Sequence, residues 1–230
     1  TYGGGSIKHT GLYDKITALL QDFQIFELSG IEPNPRLTSV KKGVEICKKQ
    51  QIDVILAVGG GSTIDCSKAI AGGAFYDGDP WDLVTNPKKI EKALPVVTVL
   101  TLAATGSEMN GNAVITNWDT NEKLGTYSDL YIPRASILDP TVLYTLPAKQ
   151  TAAGTADILS HLFEQYFQKE EGAYVSDRFA EGLMKTCIKY CPIALLEPDN
   201  YEARANLMWA STMALNGLTS CGKTGAWTCH

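Results

Sequence analysis

Residues 154–166 read GTADILSHLFEQY, and within them Asp157 and His161 stand four apart. On a helix that spacing puts both side chains on one face, one turn apart. A carboxylate oxygen and an imidazole nitrogen together suit a divalent cation such as Fe²⁺ or Zn²⁺ rather than Ca²⁺. A surface ion pair, or a hydrogen-bonded core histidine, is the ordinary use of such a pair. Three features favour a cation. Ala152, Ala153, Gly154 and Ala156 leave room for something to approach. Ile158 and Leu162 make the surroundings apolar, where a charge wants a partner. The pair also lies just after the stretch of alternating strands and helices that carries a series of glycine loops. A catalytic ion takes three or four protein ligands and keeps a position open. The chain has only three histidines. Cys229 and His230 are the later candidates, while His9, beside a glycine loop, reads as an exposed helix histidine.

The glycine loops suggest an anion. AVGGGSTIDCSKAI (57–70) reads as a strand, a glycine run and a helix start. The glycines let the backbone turn sharply and come close to a ligand. The helix N-terminus behind them offers N–H groups and a positive dipole end. No GK[ST] follows, and no third glycine completes GxGxxG, so neither phosphate signature applies. A capping box, with Ser62 at the N-cap and Asp65 three residues on, is the structural alternative and is compatible with a cradle. TYGGGSIKHTG (1–11) repeats the theme, although a flexible terminus is the plain explanation there. TLAATGSEMNG (101–111) is a third polar glycine loop. Two GGGS loops, each opening a helix, indicate a ligand with more than one phosphate. In an open parallel sheet all three loops would lie beyond the carboxyl ends of the strands, where ligands bind.

The elements that must position these residues alternate. Residues 8–22 read as a helix, 24–29 (QIFELS) as a strand and 37–50 as an amphipathic helix. VILAV (54–58) is a continuous apolar run, as in a strand buried on both faces. Residues 62–75 read as a helix, VVTVL (96–100) as a second buried strand, 112–117 and 123–128 as a hairpin, and ASILD (135–139) as a last short strand. This order predicts an α/β fold, a Rossmann-like layer with a mainly parallel sheet. Past Pro147 the texture changes to helices at 148–168, 173–194 and 200–218. The expected division is an α/β domain over 1–147 and the start of an all-helical domain over 148–230.

The 230 residues are 44% hydrophobic and 20% charged, ordinary for a globular chain. A net charge of −5 gives no basic footprint, so nucleic acid is not an expected partner. No apolar run approaches the roughly 20 residues of a membrane span. The six cysteines form no CxxC pair. Cys187 and Cys191 continue a stripe of Val175, Phe179 and Leu183, which suits buried helix cysteines better than a metal clasp. With no signal peptide visible, a reducing cytoplasm is the expected compartment.

The motifs GGGSIK, GIEPNP, AVGGGSTIDCSK, TLAATGSE, LDPTVLYTLP and GTADILSHLFEQY, in this order, resemble the iron-containing (group III) alcohol dehydrogenases, and among them the butanol dehydrogenase branch. The resemblance runs over essentially the whole chain. It implies a two-domain enzyme: a dinucleotide-binding domain, a helical domain and one divalent metal, Fe²⁺ or Zn²⁺. It puts Gly60, Gly61 and Ser62 on the pyrophosphate of NADP or NAD, with Asp65 beside them. Thr101, Thr105 and Asn110 would line the cofactor, Lys123 would reach its ribose or phosphate, and Gly4, Gly5 and Ser6 would sit near the adenosine ribose. The metal ligands of the family are an Asp and three His. Asp157, His161 and His230 match three of them, and the fourth is expected beyond His230. A strand expected before TYGGGS is absent, so the chain reads as an internal segment of a longer enzyme, inactive by itself. The implied reaction moves a hydride between NAD(P)H and a short- to medium-chain alcohol or aldehyde, in a homodimer. Gly3–Ser6 carries no acid and has Lys8 nearby, which favours NADP(H). Competing expectations are a glycerol dehydrogenase-like polyol oxidation, a dehydroquinate-synthase-like lyase, and a non-catalytic nucleotide-binding module.

Overall fold

The computed structural model describes residues 1–169, 172–223 and 227. The chain divides into two compact units. The first holds Thr1–Leu100 and Gly111–Ile137; the second holds Thr101–Asn110 and the residues from Leu138 onward.

The first unit opens with two short helices, α1 (Ser6–His9) and α2 (Leu12–Leu19), in place of the single helix expected over 8–22. Gly11, at φ 75°, takes a left-handed turn between them, which only glycine adopts cheaply. Helix α3 (Leu37–Gln50) follows the sequence pattern, with Leu37, Val40, Val44 and Cys47 buried along one stripe. Next come β1 (Ile55–Gly59), α4 (Gly61–Gly73), the short α5 (Trp81–Thr85) and β2 (Val96–Leu100). The hairpin strands β3 (Asn112–Asn117) and β4 (Glu122–Tyr127) precede β5 (Ala135–Ile137). The sheet runs β1-β2-β5, all parallel, with Gly59 opposite Leu100 and Val99 opposite Ile137. The hairpin forms a separate antiparallel pair.

Apolar strands of this kind need cover, and α4 supplies it. Ile64, Cys66, Ala69, Ile70 and Ala71 are all buried, so this helix has almost no solvent face. Helix α3 packs closely on it because Gly43 admits Ile70: a Cβ at 43 would stand 2.3 Å from the Ile70 Cδ1. Gly73 admits Val44 in the same way.

Residues 24–29 form no strand. Their stretch pairs with the chain start through Tyr2 N–H to Leu28 O, Gly30 N–H to Gly3 O and Ile31 N–H to Tyr2 O. Among the described residues that ladder is too short to count as a strand.

The second unit is built on α6 (Ala148–Tyr166), α7 (Tyr174–Leu196) and α8 (Tyr201–Leu215). Ile158, Leu162, Ala180, Cys187, Ala203 and Leu207 form its core. Asn200 caps α8, its side chain accepting from Ala203 N–H at 3.0 Å. The expected cysteine stripe is only half buried. Cys187 is in the core, but Val175 and Phe179 are 65% and 46% exposed. No described helix is long and apolar enough to cross a membrane.

Candidate cofactor loops and metal pair

A parallel bridge between Tyr2 and Val58 sets the first GGGS loop beside the second. Gly5, at φ 100°, is left-handed and caps α1. Gly59 lets Thr63 fold against the loop, since a Cβ there would meet the Thr63 Oγ1 at 2.4 Å. Gly60 is the N-cap of α4 and Gly61 its first residue. The expected capping box is therefore absent: Ser62 lies inside the helix, and no side chain caps it. Glycine at the N-cap leaves that end open to a bound anion. The Ser62 hydroxyl instead accepts from Asn34 N–H at 3.2 Å. Asn34 is itself left-handed, at φ 55°. The GIEPNP turn thus joins the two glycine loops at the carboxyl end of β1. The sequence offered GIEPNP only as a motif of the resemblance, because its tie to Ser62 crosses 28 residues.

Asp65 faces the hairpin. Its Oδ2 accepts from Val114 N–H at 2.9 Å. One turn on, Lys68 is fully buried and its Nζ donates to Asn112 O at 2.8 Å. Both side chains tie α4 to β3. Lys123 lies on β4 opposite Thr116, on the exposed part of the hairpin.

The third loop, which follows β2 in the chain, belongs to the second unit. Gly154 of α6 admits it: a Cβ there would stand 2.5 Å from Ala103 O. Gly106, at φ 58°, presses on α8 at Ser211 O. Glu108 is buried and accepts from the Thr212 hydroxyl at 2.5 Å. Asn110 folds back on the loop, its Nδ2 donating to Gly106 O at 2.9 Å. Thr101 and Thr105 remain half-buried on the same loop.

Asp157 and His161 project from the middle of α6. The Asp157 Oδ1 and His161 Nε2 are 3.8 Å apart, too far for a hydrogen bond. The imidazole is 5% exposed and packs against the Trp227 ring at 5.7 Å between centroids. The Asp157 side chain is 36% exposed. One oxygen and one nitrogen donor near each other, with the carboxylate open to approach, fit a divalent ion that takes mixed O/N ligands. His230 and Cys229 lie outside the described residues. Among the described residues, no group of three or more His, Cys, Asp or Glu forms a metal cluster. Five of the cysteines are free thiols.

Ends of α6 are held by polar side chains that the sequence did not single out. At its start, the buried Arg204 donates from Nη1 to the Thr151 hydroxyl at 2.7 Å and from Nε to Pro198 O at 2.8 Å. A lone cation in the alanine-rich start of α8 was the available signal. In the first unit, a cavity of about 520 Å³ lies between α2, residues 24–28 and β1, lined by Ile16, Leu20, Phe26, Val54 and Leu56. Its walls are mostly apolar and include Tyr2 and Val58, but no GGGS-loop position from Gly3 to Ser6 or from Gly59 to Ser62.

Comparison with known proteins bears on both units. Residues 1–140 match the family described as iron-containing alcohol dehydrogenase, and residues 151–230 its C-terminal family. The chain is 60% identical to the NADH-dependent butanol dehydrogenase A of Clostridium acetobutylicum over 231 residues, covering all of this chain and 59% of that protein. It is 45% identical to the NADPH-dependent aldehyde reductase YqhD of Escherichia coli, covering all of this chain and 60% of that one. The crystal structure of the NADH-dependent butanol dehydrogenase A of Thermotoga maritima superposes with a TM-score of 0.94 at 48% identity, covering 97% of this chain and 56% of that one. The chain therefore spans about 59% of the length of the curated relatives it matches. With both family matches, an α/β unit that ends its strands in glycine loops and a helical unit that carries Asp157 and His161, the chain belongs to the iron-containing alcohol dehydrogenase family.

Proposed function

We propose that the protein is a metal-dependent alcohol dehydrogenase and aldehyde reductase. It moves a hydride between NAD(P)H and a short- to medium-chain alcohol or aldehyde of the butanol and butyraldehyde type. The observation that carries this is the Asp157–His161 pair, one turn apart on α6, in a chain of this family. In this reading residues 1–147 serve the dinucleotide and residues 148–230 the metal.

The residues divide the work. Gly60, Gly61 and Ser62, at the N-terminus of α4, receive the pyrophosphate through backbone N–H groups and the helix dipole. Gly4, Gly5 and Ser6 take the adenosine ribose, and Thr101, Thr105 and Asn110 line the cofactor from the third loop. Lys123 reaches the ribose or phosphate, and Asp65 supports the loop from α4. Asp157, His161 and His230 hold the divalent ion, Fe²⁺ or Zn²⁺, with a further histidine in a protein of the relatives' length. When bound, that ion supplies Lewis-acid polarisation of the substrate oxygen, worth several kcal/mol. The buried imidazole and the half-open carboxylate orient it. No residue is assigned as a dedicated general base. A cytoplasmic homodimer is the setting proposed for this chemistry.

The test uses a protein spanning the full length of the relatives. Metal analysis is combined with butyraldehyde reduction by NADPH and NADH. We expect Asp157→Ala and His161→Ala each to lose the metal and to lower kcat/KM by about 100-fold or more. Turnover that survives Asp157→Ala would refute the metal role of the pair, and a protein that binds nucleotide but neither metal nor aldehyde would be a nucleotide-binding module instead.

A further inference from the structure

Gln165 lies one turn past His161 on α6 and is 1% exposed. All the hydrogen-bonding groups of its carboxamide are used. The Nε2 donates to His161 O and to Ala214 O, both at 2.8 Å, and the Oε1 accepts from the Thr219 hydroxyl at 2.7 Å. The carbonyl of Gln165 accepts from Lys223 Nζ at 2.8 Å, and the same ammonium reaches Asp177 at 2.5 Å. Ser176 adds a bond to Cys221 O at 2.9 Å. Residues 216–223 form no helix or strand, so these side chains set their path. The Trp227 ring rests on His161.

We propose that Gln165 is a positioning residue: its carboxamide ties the His161 turn of α6 to residues 214–223 and so holds the Asp157–His161 pair ready for a cation. The proposal rests on the metal reading given above. An apolar side chain of equal size would fill the same space but would accept several arrangements of the neighbouring turn. A fully satisfied amide in a buried site specifies one. Hydrogen bonds that orient a metal ligand's own side chain commonly carry about 10- to 100-fold in metal affinity; Gln165 acts one step further out, on the backbone of the His161 turn.

The experiment is a Co²⁺ titration of the protein at the relatives' full length, followed by visible absorption, with thermal midpoints measured with and without Co²⁺. Gln165→Met and Thr219→Val are expected to weaken Co²⁺ binding by about 10- to 100-fold and to alter the absorption band. Thr219→Ser, which keeps the hydroxyl, is expected to behave as wild type. A purely structural role would lower the midpoints of metal-free and metal-loaded protein alike, leaving affinity, band and the metal-induced rise unchanged; that result overturns the proposal. Should Gln165→Met fail to fold, Thr219→Val decides, because it removes a single hydroxyl. Wild type that takes up no Co²⁺ would bring down the metal reading and this proposal together. Co²⁺ bound by wild type, lost in Asp157→Ala and retained unchanged in Gln165→Met and Thr219→Val would sink the role of Gln165 alone.

Discussion

Glu27 accepts from the Tyr13 hydroxyl at 2.5 Å and from the Tyr2 hydroxyl at 2.7 Å. Those two bonds, Tyr13 first, hold its carboxyl below the usual range, with a smaller contribution from Lys8. A carboxylate whose pKa is depressed by folding adds stability above its unfolded pKa, and that stability is lost as the pH falls through the folded value. Glu27→Gln is therefore expected to lower the thermal midpoint most at neutral pH. The gap to wild type should shrink as the pH drops through the acid range. A gap of equal size at both ends would show that the charge contributes nothing. Residue by residue, the sequence showed Asp157 and His161 because four-residue spacing is a local signal. Lys68, Gln165 and Arg204 were hidden because their partners are distant: Asn112 is 44 residues from Lys68, and Thr151 is 53 from Arg204. Lys68 did leave a trace, being a lone cation in IDCSKAIAGGA, a helix with no polar face to spare.

Elements with an apolar period were legible to within a few residues, as α3 and β2 illustrate. Those governed by a single residue or a distant partner were not. Gly11 divided one expected helix, and residues 24–29 meet the chain start through a single bond, Tyr2 N–H to Leu28 O. Glycines inside helices carry the test at this scale. In α6, Gly154→Ala would put a methyl 2.5 Å from Ala103 O, a backbone atom that no rotamer change can move. The helix-propensity gain of about 1 kcal/mol is outweighed by overpacking of about 1–3 kcal/mol. Urea denaturation should show a net loss, and the cofactor KM should rise as the third loop shifts. Gly182→Ala in α7 meets nothing within 4 Å and is expected to stabilise by about 0.4–1 kcal/mol. Identical shifts in the two variants would refute the packing role of Gly154.

At the scale of the whole molecule, cofactor choice remains the property with rival signals. Gly3–Ser6 offers no acid to repel a 2′-phosphate, yet Lys8, its nearest cation, lies over the Tyr13 ring at 4.5 Å and 4.0 Å from Glu27. A relative at 60% identity carries NADH in its name and one at 45% carries NADPH. The absent acid is the stronger of the two local signals, since it removes a repulsion outright. We expect the KM for NADPH to be no higher than that for NADH, and a clear preference for NADH would reverse the assignment. The third loop has a practical corollary. Residues 101–110 take their shape from α6 and α8, through Gly154, Gly106 and the Glu108–Thr212 bond. Anyone building chimaeras within this family should move that decapeptide together with the helices. A crossover placed at residue 147 would graft it onto foreign ground, and the hybrid's nucleotide affinity would suffer before its sheet did.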